Sequence, residues 1–339
     1  MIDYLNRGFL APFFILAFAL LVSCKCNTNQ PSGKDSGDVD ICNNLDTLNV
    51  ILAYDTTNGE LYSCRAELLY EKNDYVNALY DIQMAMQLKG NNVEDLLLLA
   101  DVYWGLGNPN QARLSLNYAE SLDNTNYEVY YALGKHFYLL DNYELSKNYL
   151  LKSIQLEPVN PYSYSLLGEI DLSKGDTTSA INNFYRAVQV DNSFFPAYMQ
   201  LATVNLVQNT PLTPRYLENA LSINDKSNDA YYMLGVYYQQ NGQFRKAVEN
   251  YSKLYELNPE YVLASYNAGY IYLVELNVFD TAIIWFDRAI AVDSNYYDAI
   301  YNRSYSYELL GNTAKADSGY RYLLKIKPDY ELAKQRLKR

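Results

Sequence analysis

His136 is the one histidine of the 339-residue chain, and it stands alone. No cysteine or second histidine lies near it in sequence, so it forms neither a zinc-ligand spacing nor the base of a nucleophile pair. The chain has no glycine-rich phosphate loop, no nucleophile elbow and no paired-histidine helix motif. Asp and Glu are spread at the density of a solvated helical surface, so no pair of catalytic carboxylates stands out. These residues predict no catalytic residue, no metal site and no cofactor. The formal charge of −12 and pI near 4.6 exclude nucleic acid as a partner, because an acidic surface repels phosphate. Basic or neutral proteins and peptides fit better. The remaining reactive side chains are four cysteines, Cys24, Cys26, Cys42 and Cys64.

Cys24 closes the first positional element. After a short polar start with Arg7, residues 8–22 (GFLAPFFILAFALLV) form an apolar run. It is shorter than the ~20 residues that span a bilayer and has the length of a secretory signal core. It ends in Leu21-Val22-Ser23-Cys24, which resembles the bacterial lipobox: an aliphatic residue, a small residue, then the cysteine that is acylated. Asp3 offsets Arg7, a departure from the usual basic start. The resemblance implies a lipoprotein signal peptide over 1–23, lipidation at Cys24 and a membrane contact through that lipid. Lys25 is not the Asp that resembles an inner-membrane retention signal, which implies a Gram-negative outer-membrane lipoprotein, lipid-anchored and facing the periplasm. Residues 24–40, rich in Ser, Gly and Asn, read as a flexible tether. With Cys24 assigned to lipid, an odd number of cysteines remains. Two readings stay open: a Cys42–Cys64 disulfide in an oxidising compartment, or a free Cys42 with Cys64 as a small buried residue.

An internal period organises the rest. Residues 59–330 divide into eight units of about 34 residues. They are counted from 59, 93, 127, 161, 195, 228, 262 and 297. Position 8 is always small: Ala66, Ala100, Gly134, Gly168, Ala202, Gly235, Gly269 and Ser304. Position 20, read as the site facing it from the second helix, carries Ala78, Ala112, Ser146, Ala180, Ala247, Ala282 and Ala316. Position 24 is a bulky apolar stripe from Ile82 to Tyr320, and Pro158, Pro259 and Pro328 fall where a second helix must stop. The fifth unit is one residue short, with Thr213 expected as N-cap and Pro214 as first residue of a shortened second helix. The seventh has one residue extra between Glu275 and Phe279. Asn44–Tyr54 within 41–58 and residues 331–339 read as terminal capping helices, which a stacked array needs at its bare ends.

This pattern resembles the tetratricopeptide repeat (TPR) family. The resemblance implies an all-α, right-handed superhelix, an α-solenoid of eight helix-turn-helix repeats capped at both ends. It also implies a concave groove lined by first-helix positions 2, 5, 9 and 12. Those positions hold Tyr70, Trp104, Tyr131, Tyr138, Tyr162, Tyr232, Tyr266, Tyr270, Tyr301 and Tyr305 among acids such as Glu128, Asp229 and Glu169. The groove is therefore expected to be aromatic and acidic, and its rings to protrude from the first helices as binding anchors. Ser63 and Glu67 stand where some family members carry the Asn and Lys that clamp a C-terminal carboxylate, which disfavours that mode. Asp46-Thr47, Asp55-Thr56, Asp176-Thr177 and Asp280-Thr281 resemble a periplasmic O-glycosylation motif, though Asp and Thr are also ordinary turn residues. The expected function is a non-enzymatic scaffold that recruits partner proteins or peptides in the cell envelope. A glycan-binding envelope lipoprotein, stacking sugars on the same rings, is the alternative.

Overall fold

The computed structural model describes residues 41–338; the signal segment 1–23, the Cys24 lipidation site, the 24–40 tether and Arg339 lie outside the described residues. Among the described residues there are eighteen α-helices, one 3-10 turn (Ile41–Asn43) and no strand. None of these helices is long and apolar enough to cross a membrane. The chain divides into two compact units that part after Asp191.

The first unit holds α1 (Leu45–Tyr54) and four helix pairs: α2 (Gly59–Glu71) with α3 (Tyr75–Lys89), α4 (Val93–Gly105) with α5 (Pro109–Leu122), α6 (Tyr127–Leu139) with α7 (Tyr143–Leu156), and α8 (Pro161–Ser173) with α9 (Thr177–Val190). The second unit repeats the plan with α10 (Phe195–Val207) and α11 (Thr213–Ile223), α12 (Asn228–Gln240) and α13 (Phe244–Leu257), α14 (Val262–Val274) and α15 (Phe279–Val292), α16 (Tyr297–Leu309) and α17 (Thr313–Ile326), then α18 (Glu331–Leu337). Each unit is thus a stack of helix hairpins, the α-solenoid arrangement.

Each hairpin turns on a single residue with positive φ: Asn73, Gly107, Asp141, Gly175, Asn209, Gly242, Asn277 and Gly311. Only Gly, Asn and Asp adopt that conformation at low cost, so this one site breaks the first helix and aims the chain back. The prolines 158, 259 and 328 lie just past the C-caps Glu157, Asn258 and Lys327, outside the helices they terminate.

Within a hairpin, the small residue of position 8 lies under the bulky residue of position 24. A Cβ added at Gly168 would sit 2.6 Å from the Phe184 ring, one at Gly134 2.7 Å from Leu150, and one at Gly235 would strike Tyr251. Position 20 faces the same point, as Ser146 Oγ donating to the Gly134 carbonyl at 2.7 Å shows, and its small buried residues, Ala78 to Ala316, let the helices close. In the fifth repeat Leu212, not Thr213, is the N-cap of α11; Thr213 is the first helical residue and its hydroxyl donates back to Thr210 O at 3.0 Å. The seventh repeat takes its extra residue in the turn, where Glu275, Leu276, Asn277 and Val278 connect α14 to α15.

Candidate partner-binding groove

In the first unit, the first helices α2, α4 and α6 carry their position 12 aromatics in a row. Tyr70, Trp104 and Tyr138 are half-buried, each with part of its ring open. Tyr70 leans on Tyr75, with centroids 5.8 Å apart, and Tyr138 on Tyr143 at 5.9 Å. One turn back, position 9 carries charge. Asp101 on α4 pairs with Lys135 on α6 at 3.0 Å. Together with Tyr70, Tyr75, Trp104, Gly105 and Leu139 this pair lines an open recess of about 140 Å³. Such a space takes one side chain. Tyr131 and Tyr162 meet across α6 and α8 at 5.9 Å. Glu128, at position 2 of α6, is half-buried, and its backbone N–H donates to the Asn126 cap.

Two residues in this region have roles that sequence did not disclose. His136 is buried, and its Nδ1 accepts a hydrogen bond from Trp104 Nε1 at 3.0 Å, which fixes the indole in the groove wall. Burial, then the charge of Arg113, pushes the His136 pKa down, so the neutral ring that accepts this bond is the favoured form. Glu169, at position 9 of α8, is half-buried, and burial pushes its carboxyl up to about 7 against the lowering effect of the nearby Tyr138 hydroxyl.

The second unit handles its aromatics differently. Tyr232, Tyr266 and Tyr301, all at position 5, pack against Tyr261, Tyr296 and Tyr330 at centroid distances of 5.4, 4.7 and 5.5 Å. The latter three are the N-cap residues of the following helices. Side chains two helices on add polar contacts: Asn302 Nδ2 donates to Tyr266 Oη at 3.2 Å and Arg336 Nε to Tyr301 Oη at 3.4 Å. Burial, first among the causes, raises the Tyr232, Tyr261, Tyr266, Tyr296 and Tyr330 hydroxyls well above the ordinary phenol range or towards its upper side. It also raises the Asp229 carboxyl. Tyr301 is buried, 9% exposed, and so does not protrude: α18 covers it, as a capping helix must if the array is to end. Tyr270 lies against Tyr266 at 6.4 Å, and the Arg336 guanidinium sits 4.3 Å over the Tyr305 ring. Tyr232 and Tyr266 belong as much to the seam between repeats as to the open face.

At the other end of the first unit, Cys42 and Cys64 are joined by a disulfide, with Cα atoms 5.2 Å apart. It ties the 3-10 turn before α1 to the middle of α2.

Known proteins share this repeat. Tetratricopeptide repeat models match residues 127–160 and 232–296. Those two stretches carry tetratricopeptide repeats. It is 23% identical over 231 residues to anaphase-promoting complex subunit 3 of Schizosaccharomyces pombe, covering 66% of this chain and 34% of that one. It is 23% identical over 233 residues to the sol locus transcriptional repressor of Clostridium acetobutylicum, covering 58% and 72%. The chain thus spans about a third of the length of the fission yeast relative. Among solved structures, the C-terminal part of a TPR repeat-containing protein from Cytophaga hutchinsonii superposes with TM-score 0.61 at 20% identity, covering 71% of this chain and 99% of that one. Human IFIT1 superposes with TM-score 0.53 at 17% identity, covering 84% and 68%. At such identities the likeness is one of fold.

Proposed function

We propose that this chain is a non-enzymatic scaffold, lipid-anchored at the outer membrane through Cys24, that recruits partner proteins or peptides from the periplasm on its first-helix face. In this reading residues 1–23 are removed, 24–40 form the tether, 41–58 and 331–339 cap the array, and 59–330 bind. The single observation that carries the binding role is the row Tyr70, Trp104 and Tyr138, kept half-open on the first helices of three consecutive repeats beside the Asp101–Lys135 pair. Large aromatic rings held rigidly and left partly wet are what binding anchors look like. The Cys42–Cys64 disulfide supports export, since such bonds persist in oxidising compartments.

Two experiments test the reading. Cys24→Ala should leave an unprocessed precursor or a soluble protein; a mutant that still fractionates as a processed, lipid-modified form refutes the anchor. For binding, a photo-crosslinking residue placed at Tyr70 or Tyr138 in living cells should trap a protein that one placed at Asn182, on second helix α9, does not. Equal capture from both places the interface elsewhere. Purified chain that instead binds oligosaccharides, with no protein trapped, would favour the glycan reading.

A further inference from the structure

The recess of the first unit is built by the chain and left open. Tyr70, Tyr75, Asp101, Trp104 and Lys135 line it, and all five are half-buried, so each still presents surface to an entering group. Gly105 makes the room. A Cβ there would sit 2.6 Å from the Tyr75 ring, so only a residue without a side chain lets that ring close one wall. Trp104 is held in another wall by its hydrogen bond to His136. Rings fixed in this way need not be ordered by a partner, which removes one cost of binding.

The charged pair restricts what fits. Lys135 Nζ lies 3.0 Å from Asp101 Oδ1, so an entering ammonium or guanidinium meets a like charge at Lys135, and an entering carboxylate meets one at Asp101. The occupant is therefore uncharged. The pair engages one carboxylate oxygen only. Among the described residues nothing donates to Asp101 Oδ2: the Tyr75 hydroxyl donates to Asn73 at 2.6 Å, and the Trp104 N–H to His136. The Asp101 side chain is 38% exposed, so covering it takes a polar atom out of water. A purely aliphatic occupant would do this without supplying a donor, and the acid would bear the full desolvation cost.

Elsewhere the chain itself shows what it sets against a ring and a carboxylate together. Tyr330 lies 5.5 Å from the Tyr301 ring and donates to Asp298 at 2.6 Å. Tyr320 lies 5.7 Å from the same ring and donates to Glu308 at 2.8 Å. Tyr143 lies 5.9 Å from Tyr138 and donates to Asp141 at 3.0 Å. Each time a phenol gives aromatic contact with its ring and a charge-assisted hydrogen bond with its hydroxyl. The recess has the rings and the acid and no tyrosine between them.

We infer that the recess receives one tyrosine side chain from the partner segment that lies on this face. The inference rests on the partner-binding reading above and names one residue of the partner. On binding, the tyrosine ring packs against Tyr70 and Trp104, and its hydroxyl donates to the Asp101 carboxylate.

A phage-displayed library of random dodecapeptides, selected against the full chain in detergent micelles, tests this. The chain should enrich peptides with Tyr at one fixed place. In the best peptide, made synthetically, Phe at that place should weaken binding to the wild type about tenfold, the loss of one charge-assisted hydrogen bond. Leu there should cost more, because the ring contact goes as well. To an Asp101→Ala variant the change from Tyr to Phe should cost less than about twofold, since the acceptor is gone. Asp101→Asn keeps the shape and loses the charge, so the same change should cost it about threefold. A melting curve checks that each variant folds, and the Asn variant carries the test if the Ala variant does not. Enriched peptides without a fixed Tyr, Leu binding as well as Tyr, or a Tyr to Phe cost that is the same in the variants as in wild type overturn the inference and leave partner binding standing. A selection that enriches nothing over detergent alone overturns both.

Discussion

The four hairpins before Asp191 and the four after it turn in the same way but are joined to their neighbours by different chemistry. In the first unit the helix that opens each repeat is capped by Asn58, Asn92, Asn126 or Asn160, whose side chains accept from backbone N–H groups. Its seams are polar. Ser63 donates to Asp95 at 2.8 Å, and Ser163 to Ser153 at 2.9 Å beside the Asn160 cap. In the second unit only Ser227 caps in this manner, while Tyr261, Tyr296 and Tyr330 offer no side-chain cap and lay their rings on the position 5 tyrosine of the repeat before. A helix start can thus be held by a hydrogen bond worth ~1 kcal/mol or by a ring contact of similar size. The difference also sorts the tyrosines. Those of the second unit are largely spent on seams, whereas Tyr70, Trp104 and Tyr138 of the first are left to face outward.

The largest expected effect tests what the two units share. Gly168→Leu and Gly235→Leu each place a branched side chain into an aromatic ring of the same hairpin, Phe184 or Tyr251. Each should destabilise by about 3 kcal/mol, at the upper end of ordinary overpacking, read as a lower denaturant midpoint. If one substitution is silent, the two units do not share the position 8 to position 24 contact.

Next in size is the pH dependence contributed by one carboxyl of the first unit. The folded Glu169 carboxyl is raised to about 7 from the ordinary value of 4.5. Its contribution is therefore fully present below pH 4.5 and is lost as pH rises through 7, because the unfolded chain ionises more readily. The loss should be about 2 kcal/mol after allowance for partial exposure. Glu169→Gln should flatten stability between these two pH values. An unchanged slope would mean that the carboxyl is solvated.

The seams themselves are tested by exchange. Tyr296→Ala removes the ring 4.7 Å from Tyr266 and should cost about 2 kcal/mol, while Asn126→Ala removes a cap and should cost about 1 kcal/mol. Tyr296→Asn should recover roughly half of the first loss by restoring a cap. Full recovery would show that the ring contributes nothing, and the contrast between the units would collapse.

Much of the hairpin plan was legible because it is written in short-range periodicity. The first helices begin at Gly59, Val93, Tyr127, Pro161, Phe195, Asn228, Val262 and Tyr297, the residues from which the repeat is counted. The turn residue is equally readable: position 15 is Asn, Gly or Asp in every repeat but the seventh, where the extra residue moves it to Asn277. Contacts between repeats were not legible. Tyr266 and Tyr296 are almost one repeat apart, and nothing in the 34-residue pattern says that a cap residue will turn towards the previous position 5. The same distance hid Trp104 from His136, so a lone histidine offered no hint that it holds a groove residue. Position rules assigned Tyr301 to the groove because they carry no knowledge of the helix that covers it.

The smallest effect concerns position 4 of two repeats, the third and the seventh, where the side chains are satisfied differently. In the first unit Tyr130 is buried there, and its hydroxyl donates to the Asn124 carbonyl at 3.0 Å and receives Lys152 at 2.6 Å. In the second unit the same position on α14 is Ser265, 1% exposed, and its hydroxyl has no hydrogen-bond partner. Serines buried elsewhere, such as Ser304 and Ser306, donate to a carbonyl one turn back. A buried hydroxyl without a partner gives up its bonds to water and gains nothing in return. Ser265→Ala removes that group and barely changes volume, so it should stabilise the chain by about 1 kcal/mol or slightly less. Ser304→Ala, which deletes a satisfied hydroxyl, should instead be neutral or destabilising by a similar amount. Paired denaturation curves for the two variants check this. A loss of stability in Ser265→Ala would mean that its hydroxyl is satisfied in solution, for example by a bound water, and that position 4 is met by hydrogen bonding in both of these repeats.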